Sequence, residues 1–447
     1  MTPLHCRIVV MLVLAGLLGA APVAANSTPP TTAFEDSEGA AWTDAEAEQR
    51  FLAAVDRRSP RMRRHVIGRT VEGRPLHLVE VGAPGPRGPK AARSRPTLLF
   101  MCTQHGNEPA GREACLQKLR DLSFTRDRAL LRLLSTTTVL FVPTVNPDGR
   151  MADTRENADG EDINRDHLTL TTPEIRAVAK VVRAWQPDLV IDHHEYFQIG
   201  PVYDDDVMLL WPRNLNVDEP LHDLARSFVV DHLAGCTEEA GYSADEYGVL
   251  KADDHNLAQF QGNHDEGIAR NTMGLRHALG VLVESNWDAK PGTELVDPAE
   301  NKRRRVDSHL ATMECTLGWW QSNARRAAAT SDGSRVRKAR EGAARDTPIY
   351  FDGQYEDTSA LPEEEPTSVE ENPPCGYRLG ADQYTSVVRT LRLHGIKVTA
   401  AKPGLVVPMA QPAEPVIPLL LDERGARHAV AGEPLDDCGR RKRQRRD

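Results

Sequence analysis

Apolar and polar positions recur along this chain with two periods. From Thr43, "TDAEAEQRFLAAVDRRS" spaces its apolar residues as one helical face, with Thr43 as N-cap and Glu46 three residues on. "RHVIGRTVEGRPLHLVEVG" changes to alternation, which predicts two strands around a turn at Glu72-Gly73. Pro96 to Met101 reads as a buried strand, and Pro109 to Leu122 as a helix whose first turn tolerates the missing proline N–H. "STTTVLFVPTVNPDG" predicts another strand, Pro173 to Trp185 a helix, and "PDLVIDHHEY" a further strand. This succession predicts an α/β fold with a mixed, largely parallel central sheet flanked by helices. In such sheets ligands sit beyond the carboxyl ends of the strands, where His105 and the His193-His194 pair fall.

The remaining stretches divide the chain. Arg7, the apolar run Ile8 to Leu18 and the small residues of "APVAANS" read as a cleaved export signal over 1–25. Residues 26–42, rich in Ser, Thr, Pro and acids, predict a flexible linker before a globular domain over 43–330. Residues 331–372 predict a connector, beginning in an Arg- and Ala-rich stretch and ending in the acidic "EDTSALPEEEPTSVEENPP". A small β-rich domain is expected over 373–432, with one helix ("GADQYTSVVRTLRLHG") and strands at "LVVPMA" and "VIPLLLDE". The basic residues of 433–447 predict a solvated tail.

Charge and cysteines narrow the partners. A formal net charge of -10 argues against nucleic acid, whose phosphates need clustered Lys and Arg. No later segment is long and apolar enough to span a bilayer. Export to a periplasmic or extracellular compartment would allow Cys102, Cys115, Cys236, Cys315, Cys375 and Cys438 to pair, although their spacing does not set the pairing.

"FMCTQHGNEPAGREA" sets an imidazole and a carboxylate, His105 and Glu108, at a strand-to-helix turn. Two His and one Glu with a fourth position open to water form the usual catalytic zinc arrangement. HxxE alone is a weak signal. In order after it come Asn146-Pro147-Asp148-Gly149, Arg155, Asn164-Arg165, "DHHEY", and Glu284 ending the apolar strand "GVLVES". Together these resemble the zinc carboxypeptidase family, from about "IGRTVEGRPL" to Glu284.

The resemblance implies one Zn2+ per chain, held by His105, Glu108 and His194, and a peptide substrate with a free C-terminal carboxylate. His194 is preferred over His193 because the family's Asp-apolar-His maps onto Asp192-His193-His194, and strand alternation sends the two His to opposite faces. Asp162 fits the family's carboxylate behind a ligand imidazole. Glu284 would be the general base, Arg155 the oxyanion cation, and Asn164 with Arg165 the clamp on the terminal carboxylate. The family's specificity position falls near Ala269 and Arg270; an Arg270 lining the pocket would favour an acidic terminal residue. The family's mobile tyrosine has no clear counterpart, Tyr242 and Tyr247 being the nearest. His222, His232, His255 and His264 share no motif with a second ligand and read as surface or structural residues. Two other readings compete. One is a zinc amidohydrolase of the succinylglutamate desuccinylase and aspartoacylase group, which shares HxxE and a short gap to the third ligand (194 minus 108, or 86 residues). The other is a non-catalytic binding protein on the same fold.

Overall fold

The computed structural model describes residues 28–197, 204–253, 256–259, 262–355, 365–400 and 404–438. The export signal, His255 and the basic residues from 439 onward lie outside them.

An eight-stranded sheet organises the chain. In spatial order its strands are Met62–Arg69, Pro75–Val81, Thr138–Val142, Thr97–Cys102, Leu189–Tyr196, Leu279–Asn286, Val207–Leu210 and Ala244–Glu246. The four central strands, from Thr138–Val142 to Leu279–Asn286, run parallel, and antiparallel pairings join them to the strands on either side. Central strands buried on both faces need unbroken apolar runs, which "TLLFMC" and "TVLFV" supply. Helices Ala110–Phe124 and Pro173–Trp185 belong to the crossovers between these parallel strands.

The parallel register decides where the chemistry falls. Glu284 pairs with His194, and Cys102 with His193. The strand ends carrying the ligand loop, the third ligand and Glu284 therefore finish side by side. A disulfide between Cys102 and Cys115 ties the first of these ends to the helix that follows, bracketing His105 and Glu108. Cys236–Cys315 and Cys375–Cys438 complete the pairing among the described residues.

Several expectations are corrected. The segment expected to be a flexible linker folds from Thr28 onward: Ala33–Asp36 is a helical turn closed by a Thr32–Glu35 capping box. Phe34 is buried there and stacks on Trp42, an apolar pair that the polar composition around it concealed. The next helix is capped by Asp44 rather than Thr43, whose hydroxyl donates to Glu113 instead. No break falls near residue 330, because Pro298–Ala344 is one helix of 47 residues. Its buried stripe (Val306, His309, Met313, Leu317, Trp320, Ala324, Ala327, Ser331, Ser334) keeps helical period but turns to small residues, which hides it from a hydrophobicity reading. "VIPLLLDE" forms a 3-10 turn and the helix Ile417–Leu421 rather than a strand. A short apolar run cannot by its period distinguish the two.

The C-terminal unit holds a four-stranded sheet of Thr399–Ala400, Leu405–Pro408, Gly376–Leu379 and Glu433–Leu435. Its last strand takes up the start of the expected basic tail and leads into the Cys438 disulfide. Tyr377, Leu391 and Leu421 join the same apolar core as Phe100 and Trp211, so this unit is packed into the body rather than hung from it.

Candidate metal centre and substrate pocket

The ligand loop begins with a strained residue. Thr103 has φ +55°, unfavourable for a β-branched side chain, and its hydroxyl donates to the Glu108 carbonyl at 3.1 Å. The NPDG segment holds this loop from outside. Asn146 caps the helix Pro147–Ala152 by accepting from Gly149 N, while its amide donates to the carbonyls of Gln104 and Arg155. Asp148 accepts from Thr70, Glu72 N and Arg74, which anchors the same helix to the "GRTVEGRPL" turn. The motifs are thus clamps that fix one loop against two others.

That clamping brings His105, Glu108 and His194 together. All three are buried, and one donor atom from each lies within 4.8 Å of the others. The Glu108 carboxylate reaches His105 Nδ1 at 2.7 Å and His194 Nδ1 at 2.9 Å, and the two Nδ1 atoms are 3.0 Å apart. Each ring turns its other nitrogen to a carboxylate: His105 Nε2 lies 3.3 Å from Asp162, and His194 Nε2 2.9 Å from Asp192. Carboxylates there favour Nε2–H and leave the Nδ1 lone pair facing inward, as metal ligation requires. Although burial favours a neutral acid, His105 and His194 hold Glu108 well below the usual carboxylate range. This donor set fits a single zinc ion. Among the described residues it is the only cluster able to hold a metal.

The expected alternation is present. His193 points to the opposite face, against Phe100 and 3.1 Å from His309 Nδ1. His222, His232 and His264 lie outside the cluster; His222 stacks on Tyr355, His232 bonds the Cys315 carbonyl, and His264 faces Asp352.

A cavity of about 260 Å³ opens from the ligands. Glu284 lines it, with one carboxylate oxygen buried and without a hydrogen-bond partner among the described residues. Burial pushes its carboxyl above the usual carboxylate range, against the opposing pull of His194. Arg155 grips Asp162 through Nε at 3.1 Å and Nη2 at 2.8 Å, and Nη1 lies 3.0 Å from His105 Nδ1. Arg165 stands half-exposed on the wall, 3.8 Å from Asp162 and 3.7 Å from Asp265. Asn164 is buried beside it; its oxygen accepts from Ala269 N at 2.9 Å and its amide nitrogen lies 3.3 Å from His194 Nε2. Arg270 also lines the cavity and is buried. Every site residue expected from sequence therefore falls on this one cavity or directly behind it.

The structure adds three residues. Tyr247, unassigned by spacing, is buried in the cavity wall and interacts electrostatically with Glu284 and Arg270; Tyr242 packs elsewhere. Asp192 backs His194, a role that the Asp-x-His alternation signals once His194 is taken as ligand. Glu195 locks the loop by accepting from Ala110 N and Arg305, for which the sequence carries no signal.

A buried nest of two imidazoles and a carboxylate beside a second acid, at the carboxyl ends of parallel strands, forms a candidate divalent-metal centre. Residues 48–266 match the model of the zinc carboxypeptidase family, and the chain belongs to that family. It is 29% identical over 273 residues to carboxypeptidase 2 of Trichophyton rubrum, covering 58% of this chain and 50% of that one. Against carboxypeptidase 2 of Trichophyton tonsurans the identity is 27% over 271 residues, with the same coverage. The chain thus spans about half the length of these relatives. Carboxypeptidase A of Helicoverpa armigera superposes with a TM-score of 0.48 and 16% identity, over 64% of this chain and 74% of that one.

Proposed function

We propose that this protein is an exported, zinc-dependent carboxypeptidase that removes C-terminal residues from peptides. The observation that carries the reading is the convergence of His105, Glu108 and His194, each imidazole braced from behind by a carboxylate and Glu284 standing on the adjacent strand. Zinc held by these three residues supplies Lewis acidity, lowering the pKa of water towards ~7 and polarising a carbonyl.

The chain's own groups carry the other steps. Glu284, on a buried strand end with one oxygen unbonded among the described residues, accepts the proton of the attacking water and returns it to the leaving amine. Arg155, held by Asp162, donates to the oxyanion as it develops on the scissile carbonyl. Arg165 meets the terminal carboxylate of the substrate, where a guanidinium can make two parallel hydrogen bonds. Asn164, packed beside it, fixes that wall to His194 and Ala269. The exposed Phe197 and the adjacent Trp287, whose rings lie 6.3 Å apart, offer an apolar mouth for the preceding residues of the peptide. Export is supported by three disulfides, which persist in oxidising compartments. No described helix is long and apolar enough to cross a membrane.

The test is digestion of a C-terminal peptide library by zinc-loaded protein, wild type beside Glu284→Gln. The variant is expected to keep one zinc per chain and to lose at least ~100-fold in turnover, the scale of removing a general base. Normal cleavage by the variant removes Glu284 from the mechanism. Activity on acyl-amino acids but not on peptides replaces this reading with the amidohydrolase one.

A further inference from the structure

A further cavity, of about 590 Å³, opens at the end of the sheet remote from the metal centre. It lies where Pro96 and Thr137 lead into the strands Thr97–Cys102 and Thr138–Val142, whose other ends run on to His105 and the NPDG segment. Arg95, Arg132 and Arg325 line it beside Ser94 and Ser322, and no Asp or Glu among the described residues does. Trp320 forms part of the wall; it is fully buried, and its Nε1–H has no acceptor among the described residues.

The positive charge extends beyond the cavity. The three segments that meet there, residues 82–96, 128–137 and 318–331, hold eight Lys and Arg and no Asp or Glu, in a chain of net charge -10. All of these cations except Arg95 are exposed, and none forms an ion pair with a described residue. The side-chain hydrogen bonds found among them go to backbone carbonyls, from Arg93 to Arg183 and Ala184 and from Arg95 to Ser135. Burial and the neighbouring Arg87 draw Arg95 below its usual pKa, as positive potential without an offsetting acid does. Like charges gathered on one face of an acidic protein repel one another until an anion docks there. A single phosphate would occupy the three cations of the cavity. The five around it call for further charges side by side, as an anionic bilayer presents them.

We propose that this face binds anionic phospholipid, one headgroup phosphate entering the cavity between Arg95, Arg132 and Arg325 while the outer cations meet neighbouring headgroups. A tetrahedral phosphate has acceptors enough for several guanidinium groups at once, which a planar carboxylate does not. Docked in this way, the protein rests on the bilayer by the amino ends of its central strands. The cavity beside His105, Glu108 and His194 then opens on the opposite side, clear of the lipid. The proposal is independent of the reaction assigned to that centre.

Co-sedimentation of the full-length protein with vesicles of phosphatidylcholine, alone or mixed with phosphatidylglycerol, tests this. Binding is expected to the anionic vesicles only, and should disappear in ~1 M salt, where the screening length is about 3 Å. Arg95→Gln/Arg132→Gln/Arg325→Gln should lower the partition coefficient on the order of 100-fold, roughly fivefold for each cation. Arg340→Gln/Arg392→Gln/Lys397→Gln changes net charge equally at exposed positions elsewhere and should lower it by less than ~10-fold. The basic residues from 439 onward are present in every variant. Binding that survives the first triple substitution, or that falls equally in both, therefore overturns the proposal. Thermal midpoints establish folding; should the first variant fail, Arg132→Gln/Arg325→Gln, both exposed, should still lose roughly 25-fold. Calorimetry with glycerol 3-phosphate separates a bilayer from a free phosphate. If that compound binds through the same three arginines while anionic vesicles do not, the ligand is a soluble phosphate and bilayer docking is refuted.

Discussion

Replacing Gly106 with Ala tests whether the ligand nest depends on how closely two backbones approach. A Cβ there would lie 1.9 Å from the Gly149 carbonyl carbon, 2.2 Å from Arg150 N and 2.4 Å from the Gly149 oxygen. Ordinary contact begins at 3.4 Å, so the two segments must part by about 1.5 Å (3.4 − 1.9). All three obstructing atoms are backbone, on a helix held by Asn146 and Asp148, so no side chain can swing aside. His105 is the adjacent residue and must move with the loop, yet its Nδ1 is placed at 2.7 Å and 3.0 Å from Glu108 and His194. A displacement near 1 Å costs roughly 100-fold in rate. Gly106→Ala is therefore expected to lower kcat/KM about 100-fold and to destabilise the fold by about 1–3 kcal/mol. Zinc affinity should fall by a factor of ~10 or more, since the three donors no longer converge. Chelator competition, thermal unfolding and steady-state kinetics read these separately. Gly318→Ala, with nothing within 4 Å of the added carbon in the long helix, is the control and should stabilise by roughly 0.5–1 kcal/mol. If Gly106→Ala binds zinc and turns over like the wild type, the clamp assigned to NPDG is wrong.

Two further outcomes are expected. Asp192→Asn keeps the shape behind His194 but removes the charge that favours its Nε2–H, so zinc affinity should drop on the order of 10-fold to 100-fold, and an unchanged dissociation constant would dismiss that role. His277 bridges Ser334 and the Pro412 carbonyl, and burial lowers its pKa to about 3. The unfolded chain takes up this proton below about pH 6.5 while the folded protein does not, so the contribution is complete above 6.5 and declines as pH falls towards 3. It should amount to about 2 kcal/mol lost between pH 8 and pH 5, a dependence that the His277→Gln variant, having no imidazole to titrate, cannot show. Urea unfolding of wild type and His277→Gln across that range should diverge in slope, and parallel curves would contradict the assignment.

How far the sequence disclosed this arrangement depended on the kind of order involved. Local order was legible: alternation separated His193 from His194, and apolar runs marked the central strands that bring Glu284 beside His194. Order carried by small or polar contacts was not. The stripe of the Pro298–Ala344 helix ends in Ala and Ser, and Phe34 is a lone anchor in a polar stretch. Tyr247 reaches the cavity through tertiary placement that no spacing encodes. Arg270 illustrates the boundary most clearly. Its position could be guessed from its distance to Glu284, but a charged residue in a sequence is ordinarily solvated or paired. Only coordinates supply its burial in the cavity wall and the Arg427 that occupies Asp265 across 162 positions of sequence. The C-terminal unit, which sequence composition treated as an appendage, is thus one of the elements that set the charge of the pocket.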